Sequence, residues 1–292
     1  MFDAAARFRR FARAVTAEVG ALDTSYLGLG RPLGAARVLN AVGEGADDIA
    51  EIRARLRLDS GLMSRLLRGL EDEGLVRTVP APGDGRRRLV QLSEQGKREY
   101  DAYENIANAR ARDFLERHHR SDELLAALDM VASAFLHDQI EIASVSPTDP
   151  AAKYCLALYY HELEATFEGG FDLAKSLDPT PGQMIAPNGA FVIATSDKLP
   201  VGCVGLRGDG GDVGEVKRLW VAPAARGLGI SYRLMEAVES AARSLGMLTL
   251  RLGTNRTLPG AIHLYRRLGW EETGPYSADP YSHYFFRKTL AD

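Results

Sequence analysis

The sequence predicts a multidomain protein with a mainly α N-terminal half and an α/β (α+β) C-terminal half. Three observations predict it. A length of 292 residues, 46% hydrophobic and 26% charged, suits two globular cores of ordinary size. Up to about Ser146 the apolar residues recur at helical spacing, broken once by a stretch rich in Gly, Pro and Arg; beyond it strand-like runs alternate with helical stripes. Between the halves lies "SVSPTDPAAK", where Pro147 and Pro150 stop a helix. These changes place one domain at 1–145, a linker at 146–152 and a second domain at 153–292.

The first segment, "MFDAAARFRRFARAVTAEVG", is amphipathic and arginine-rich but lacks an uninterrupted apolar core and a cleavage site, so it reads as a structural helix. "GLGRPLG" (Gly28 to Gly34) contains a proline and the wrong spacing for a dinucleotide fingerprint, which makes it a connector. Leu33 to Val42 forms a helix ended by Gly43 and Gly45. Asp47 or Asp48 can cap "DIAEIRARL", and Asp59 or Ser60 can cap "GLMSRLLRGLEDEGLV", whose Leu62, Leu66, Leu67 and Leu70 make an apolar stripe. A tight "RLD" turn joins them. "LVRTVPAPGDGRRRLVQLS" then reads as two strands around an exposed turn carrying Arg86, Arg87 and Arg88. Two helices and a basic hairpin in this order make a winged helix-turn-helix. Longer helices follow from Ser93 to about Arg117 and from Ser121 to about Ala143.

Charge agrees with a phosphate-facing surface in this region. The formal net charge is -3, yet Arg53 to Arg98 holds 11 Lys/Arg against 6 Asp/Glu. Such a cluster is the footprint of nucleic-acid contact, although a solvated face gives the same count. The helix pair, the wing with Asp84 and Arg86, and "VQLSEQGK" behind it resemble the MarR family of dimeric transcriptional regulators over 1–145. The resemblance implies a homodimer on a double-stranded DNA operator with an inverted repeat. Ser60, Gly61, Ser64 and Arg65 would face the major groove, Arg86, Arg87 and Arg88 would follow the minor groove and phosphates, and Asp84 would brace the wing on an arginine.

In the second half, 154–167 is a helix dense in aromatic and acidic residues. "GAFVIATSDKLPVGCVGLRGDGGDVGEVKRLWVAP" contains three strand-like runs with turns at Ser196 to Lys198 and Gly208 to Gly211. The third run leads into "APAARGLGIS", and "SYRLMEAVESAARSLG" leaves it with Leu234, Met235, Val238, Ala241 and Ala242 on one face. Strand "MLTLRLGT", helix "LPGAIHLYRRLGW" and strand "YSHYFFRKTL" finish the chain. A glycine-rich turn between a strand and a helix presents free backbone N–H groups and a favourable dipole to a phosphate.

Arg226-x-x-Gly229-x-Ser231, "GEVKRLWVAP" and "TNRTLPGAIHLYRRLGW" resemble signatures of the GCN5-related N-acetyltransferases over about Tyr154 to Leu290. Ser231 departs from the usual glycine or alanine. The resemblance implies the GNAT acyl-CoA N-acyltransferase fold with acetyl-CoA as cofactor. Leu219, Trp220 and Val221 would pair with the pantetheine arm; Arg226, Gly227, Leu228, Gly229, Ile230 and Ser231 would cradle the diphosphate; Asn255 would hydrogen-bond the cofactor. Tyr265 stands at the family's phenol position, a general acid for the leaving thiolate, and Glu215 is the candidate general base for the acceptor amine. Tyr160, Glu164, Glu168, Phe171 and Tyr281, with Tyr276 and His283, could hold a cationic amine. A small amine or amino acid is the expected acceptor.

Cys155 and Cys203 lie far apart with no metal-ligand spacing, and the adjacent His118 and His119 point to different sides of a helix, so no metal is expected. Two buried thiols suit a reducing cytoplasm. No run approaches the ~20 apolar residues of a membrane span. The overall expectation is a transcriptional regulator joined to an N-acetyltransferase. The alternatives are an acyl-CoA sensor without turnover, and an acetyltransferase whose helical half serves only as a dimerisation scaffold.

Overall fold

The computed structural model describes residues 3–177, 180–208 and 210–290, with the side chains at 84–86 outside the description. The chain divides into two compact units at Ser121/Asp122.

In the first unit, α1 (Ala4–Glu18) precedes α2 (Leu33–Gly43), α3 (Ile49–Arg55), α4 (Ser60–Asp72), the hairpin β1 (Val76–Ala81) and β2 (Asp84–Leu92), and α5 (Glu94–Glu116). The caps are aspartates and a serine with free side-chain acceptors. Asp48 accepts the Ala50 and Glu51 N–H groups, Asp59 accepts that of Leu62, and Ser93 that of Gly96. The core is apolar: Val38 and Leu39 of α2, Ile52 of α3, Met63, Leu67 and Leu70 of α4, Val90 of β2 and Tyr103 of α5. Met63 joins Leu67 and Leu70 in the buried stripe of α4, while Leu62 is half-buried. Arg31 clamps this arrangement. Its guanidinium donates to both Glu73 oxygens, at 2.9 and 2.7 Å, and to Glu99, tying the end of α4 to α5.

The second unit opens with α6 (Ser121–Leu136) and β3 (Ile140–Ser144), then α7 (Pro150–Thr166), β4 (Gly189–Ser196), β5 (Leu199–Gly208), β6 (Val213–Val221), α8 (Ile230–Ser244), β7 (Thr249–Thr254), α9 (Pro259–Arg267), β8 (Glu271–Thr273) and β9 (Tyr284–Thr289). The helix expected to run to about Ala143 ends at Leu136 instead. Residues 140–144 pair with β4, Ile140 opposite Ser196, because this β-branched stretch extends the sheet edge. One sheet in the order β3-β4-β5-β6-β7-β9-β8 results.

β4 and β5 are almost continuously buried, since α7 covers one face and α8 the other. Leu234, Met235 and Val238 of α8 are fully buried, each contributing roughly 1.5–3 kcal/mol by leaving water. α8 is also the crossover that makes β6 and β7 parallel, and that pairing covers only Val213–Glu215 against Thr249–Arg251. Beyond Glu215 the two strands separate. On its other side β6 is bulged: Trp220 pairs with Cys203 but Lys217 pairs with Gly205, and Arg218 takes a φ of 59° to absorb the extra residue. A gap between strands, with a bulge beside it, lies at the middle of the sheet.

Candidate functional site

Two neighbouring hollows occupy that gap. The larger, about 540 Å³, lies within the usual size of small-molecule sites and runs from the end of β6 to the start of α8, between α7 and α9. The smaller, about 90 Å³, reaches the start of the β6–β7 gap. Tyr159, Leu163, Leu219, Leu258 and Ala261 line both, so the two meet at this collar.

The glycine-rich turn floors the larger hollow. Gly227 and Gly229 have φ of 79° and 78°, a left-handed backbone that side chains oppose, and a Cβ at either would meet open space. No side chain caps the N-terminus of α8, so its first N–H groups face a cleft through Ile230 and Ser231. Leu219, Trp220, Val221, Arg226 and Gly227 complete that wall. Leu228 turns away and packs on the core. These residues fit a long phosphorylated ligand: the open left-handed Gly227, uncapped helix amides and an arginine share one cleft, with Gly229 just outside its lining.

Arg226 is not idle in this arrangement. Its Nη2 donates to both Glu162 oxygens at 2.6 Å and its Nε to the Val221 carbonyl at 3.0 Å, while Trp220 Nε1 donates to Glu162 at 2.8 Å. Glu162 thus ties α7 to the end of β6 and the glycine-rich turn. Nothing in the local sequence of α7 marks Glu162 for this work, because its partners lie about 60 positions downstream.

Tyr265 and Asn255 line the smaller hollow rather than the larger. The Tyr265 ring is buried against Trp270 and Phe286, and burial pushes its phenol well above the ordinary tyrosine range. Asn255 is engaged by the protein: its Nδ2 donates to the Tyr281 carbonyl at 2.9 Å, and its Oδ1 accepts from the Thr257 N–H and hydroxyl at 3.0 Å. It pins the C-terminal turn to the end of β7.

Glu215 departs from expectation. Among the described residues it lines neither hollow, and it is only 3% exposed. Arg207 and Lys217 hold its carboxylate, Lys217 at 3.3 Å, and Tyr276 donates a hydrogen bond at 3.2 Å. Burial and this carboxylate both push the Tyr276 phenol upward. A carboxylate fixed by two cations and a phenol has little freedom to meet a substrate amine.

The expected acceptor residues separate into two groups. Phe171 and Tyr281 line the smaller hollow with Tyr159 and Phe167, their rings 4.8 Å apart. Tyr160 stacks behind Phe171 at 5.7 Å. Glu164 and Glu168 are exposed and outside the lining, and Glu168 pairs with Arg256 at 2.9 Å; they follow the solvent face of α7 and the turn after it. The charged groups actually lining the hollow are Lys217, Arg218 and Asp279. The expectation rested on acidic residues of one helix, whereas the backbone bulge and the turn before β9 supply the charge.

In the first unit, Ser60, Gly61, Ser64 and Arg65 are exposed on the first two turns of α4, and Arg88 is exposed on β2. Ser64 donates to the Ser60 carbonyl at 2.8 Å. Arg87 is engaged differently from the expectation: its Nε and Nη2 donate to Asp48 at 2.9 and 2.5 Å, and the Val90 N–H bonds the Asp47 carbonyl at 2.8 Å. The Arg87 guanidinium holds the Asp48 carboxyl below its usual range. The wing is therefore braced on the N-terminus of α3. The bracing expected of Asp84 and the DNA contact expected of Arg86 concern side chains outside the described residues.

Comparison with known proteins follows the same division. A model of the acetyltransferase (GNAT) family matches residues 156–270, and a MarR family model matches residues 27–87. The chain is 40% identical over 108 residues to a protein of Azospirillum brasilense named IAA acetyltransferase, covering 36% of this chain and 70% of that one. It is 33% identical over 96 residues to an uncharacterized N-acetyltransferase of Schizosaccharomyces pombe, covering 32% of this chain and 59% of that one. Among solved structures, a GNAT acetyltransferase of Staphylococcus aureus superposes with a TM-score of 0.45 at 18% identity, over 52% of this chain and 99% of that one. The chain belongs to the GNAT acetyltransferase family through its C-terminal unit and carries a MarR-family region at residues 27–87.

Proposed function

We propose that the C-terminal unit transfers the acetyl group of acetyl-CoA to the primary amine of a small amine or amino acid, and that the N-terminal region binds operator DNA as part of a homodimer. The observation carrying the enzymatic reading is the joined pair of hollows. A cleft with an open left-handed glycine turn leads through the Leu219–Ala261 collar into a cavity holding a buried tyrosine. Acetyl-CoA supplies an activated acyl carbon and a thiolate leaving group. The α8 amides, Gly227, Gly229, Ser231 and Arg226 would hold its phosphates, and the end of β6 from Leu219 to Val221 would align its arm. Tyr265, kept protonated by burial, suits proton donation at the leaving sulfur. Asn255 supports the site indirectly, by holding the turn that carries Tyr281.

A cavity of about 90 Å³ supports a small acceptor, since it is smaller than the ~150 Å³ that benzene enters in an engineered protein cavity. Lys217 and Arg218 outnumber Asp279 among the charges beside it, which favours the neutral form of an entering amine, because net positive charge opposes an ammonium. For DNA, the exposed α4 turns and Arg88 support major-groove and backbone contact. Exposed apolar residues support self-association: Phe8 and Val15 on α1 and Val19 just after it, and Leu125, Leu128, Met130 and Phe135 on α6. Two free, buried cysteines accord with a cytoplasmic protein, and no described helix is long and apolar enough to cross a membrane.

The test is product analysis by mass spectrometry after incubating the protein, acetyl-CoA and single amines. An amine recovered one acetyl group heavier supports the reading. Tight acetyl-CoA binding with no acetylated product across amino acids, biogenic amines and aminoglycosides would replace it with a sensor.

A further inference from the structure

We propose that Asp279, in the turn before β9, takes the proton of the acceptor amine, the role expected of Glu215; this rests on the acetyl-transfer reading above. Asp279 lines the smaller hollow with Tyr265 and Lys217, and its side chain is 8% exposed. Its two oxygens have different work. Oδ1 accepts the Tyr281 N–H at 3.0 Å, an Asx turn that orients the carboxylate. Among the described residues Oδ2 has only the Lys217 ammonium at 3.4 Å, a long contact that leaves lone-pair capacity toward the hollow.

The charged and titratable groups around Asp279 come from several elements. Lys217 and Arg218 reach the hollow from β6, Tyr265 from α9, Tyr159 from α7 and Tyr281 from the same turn; Glu215 lies beyond Lys217 at 3.3 Å. Of these carboxylates, Asp279 reaches the acceptor space and Glu215 does not. An acceptor ammonium gives one proton to Asp279 Oδ2, and its nitrogen pair then forms the N–C bond to the acyl carbon. The C–S pair leaves on sulfur, which takes a proton from Tyr265. The second nitrogen proton re-protonates Tyr265, and Asp279 returns its own to solvent, so one proton is released overall.

Two variants test this, each assayed with acetyl-CoA and glycine, alanine, serine, putrescine or tryptamine. Asp279→Asn and Asp279→Ser are expected to lower kcat/KM by at least 100-fold while leaving coenzyme A affinity within two-fold. Serine keeps an acceptor for the Tyr281 N–H, so a purely turn-holding role predicts that Asp279→Ser stays active. Turnover in Asp279→Ser within three-fold of the parent overturns the assignment and leaves acetyl transfer standing. No turnover by the parent protein with any of the five amines overturns both.

Discussion

Gly227→Ala tests the phosphate turn through a calculation the structure permits. Gly227 lines the large cleft with φ of 79°, and an added Cβ would meet nothing within 4 Å. The methyl group therefore carries no packing penalty, and the remaining term is the left-handed backbone, ~1–2 kcal/mol, partly offset by the smaller chain entropy of unfolded alanine. A net loss of about 1 kcal/mol corresponds to a melting shift of ~2–4 °C for a domain of this size. Gly246, at the other end of α8, is a matched control with φ of 78° and open space around its Cβ, outside both hollows. Both variants should melt lower by the same amount. Only Gly227→Ala should weaken coenzyme A binding, by roughly 10- to 100-fold, the loss of about one charge-assisted hydrogen bond. Scanning fluorimetry and titration calorimetry measure the two effects separately. Equal coenzyme A affinity in the two variants would refute the cradle; an unchanged melting temperature in both would refute the strain estimate.

Other residues give sharp expectations. Tyr265→Phe should reduce kcat by ~10²–10⁴ with little change in cofactor affinity, and because burial raises the phenol's pKa, the parent enzyme should show no alkaline loss from Tyr265 ionisation below about pH 10. Lys288→Met leaves the buried Glu239 without the ammonium 2.7 Å away and should destabilise the second unit by about 3 kcal/mol, whereas the double variant with Glu239→Gln should recover part of that loss in denaturant titrations. On operator DNA, Arg88→Ala should reduce the salt dependence of binding by about one counterion. Arg87→Ala should weaken binding with a smaller change in slope, because Asp48 already neutralises its charge.

Local chemistry made much of this molecule legible in advance. Asp48 and Asp59, each one of two adjacent candidates, are helix caps because a short acceptor before an apolar-periodic run has few other uses. The β4–β5–β6 meander follows from its turns, and the glycine-rich turn from the strand and striped helix around it. What stayed hidden depends on long-range geometry. Residues 140–144 read as the tail of a helix until β4 offers them an edge. Glu215 alternates with Lys217 on one strand, but only the structure reveals that Arg207 from β5 and Tyr276 enclose it. Asp279 gave no local signal, since its place in the hollow comes from the path of the 274–283 turn.

The most direct test of the account is release of free thiol from acetyl-CoA by the purified protein, followed with a thiol reagent across a panel of amino acids and small amines. The account predicts release above the buffer rate that depends on at least one amine and falls at least 100-fold in Tyr265→Phe. Tight coenzyme A binding with no amine-dependent thiol release anywhere in the panel would contradict it.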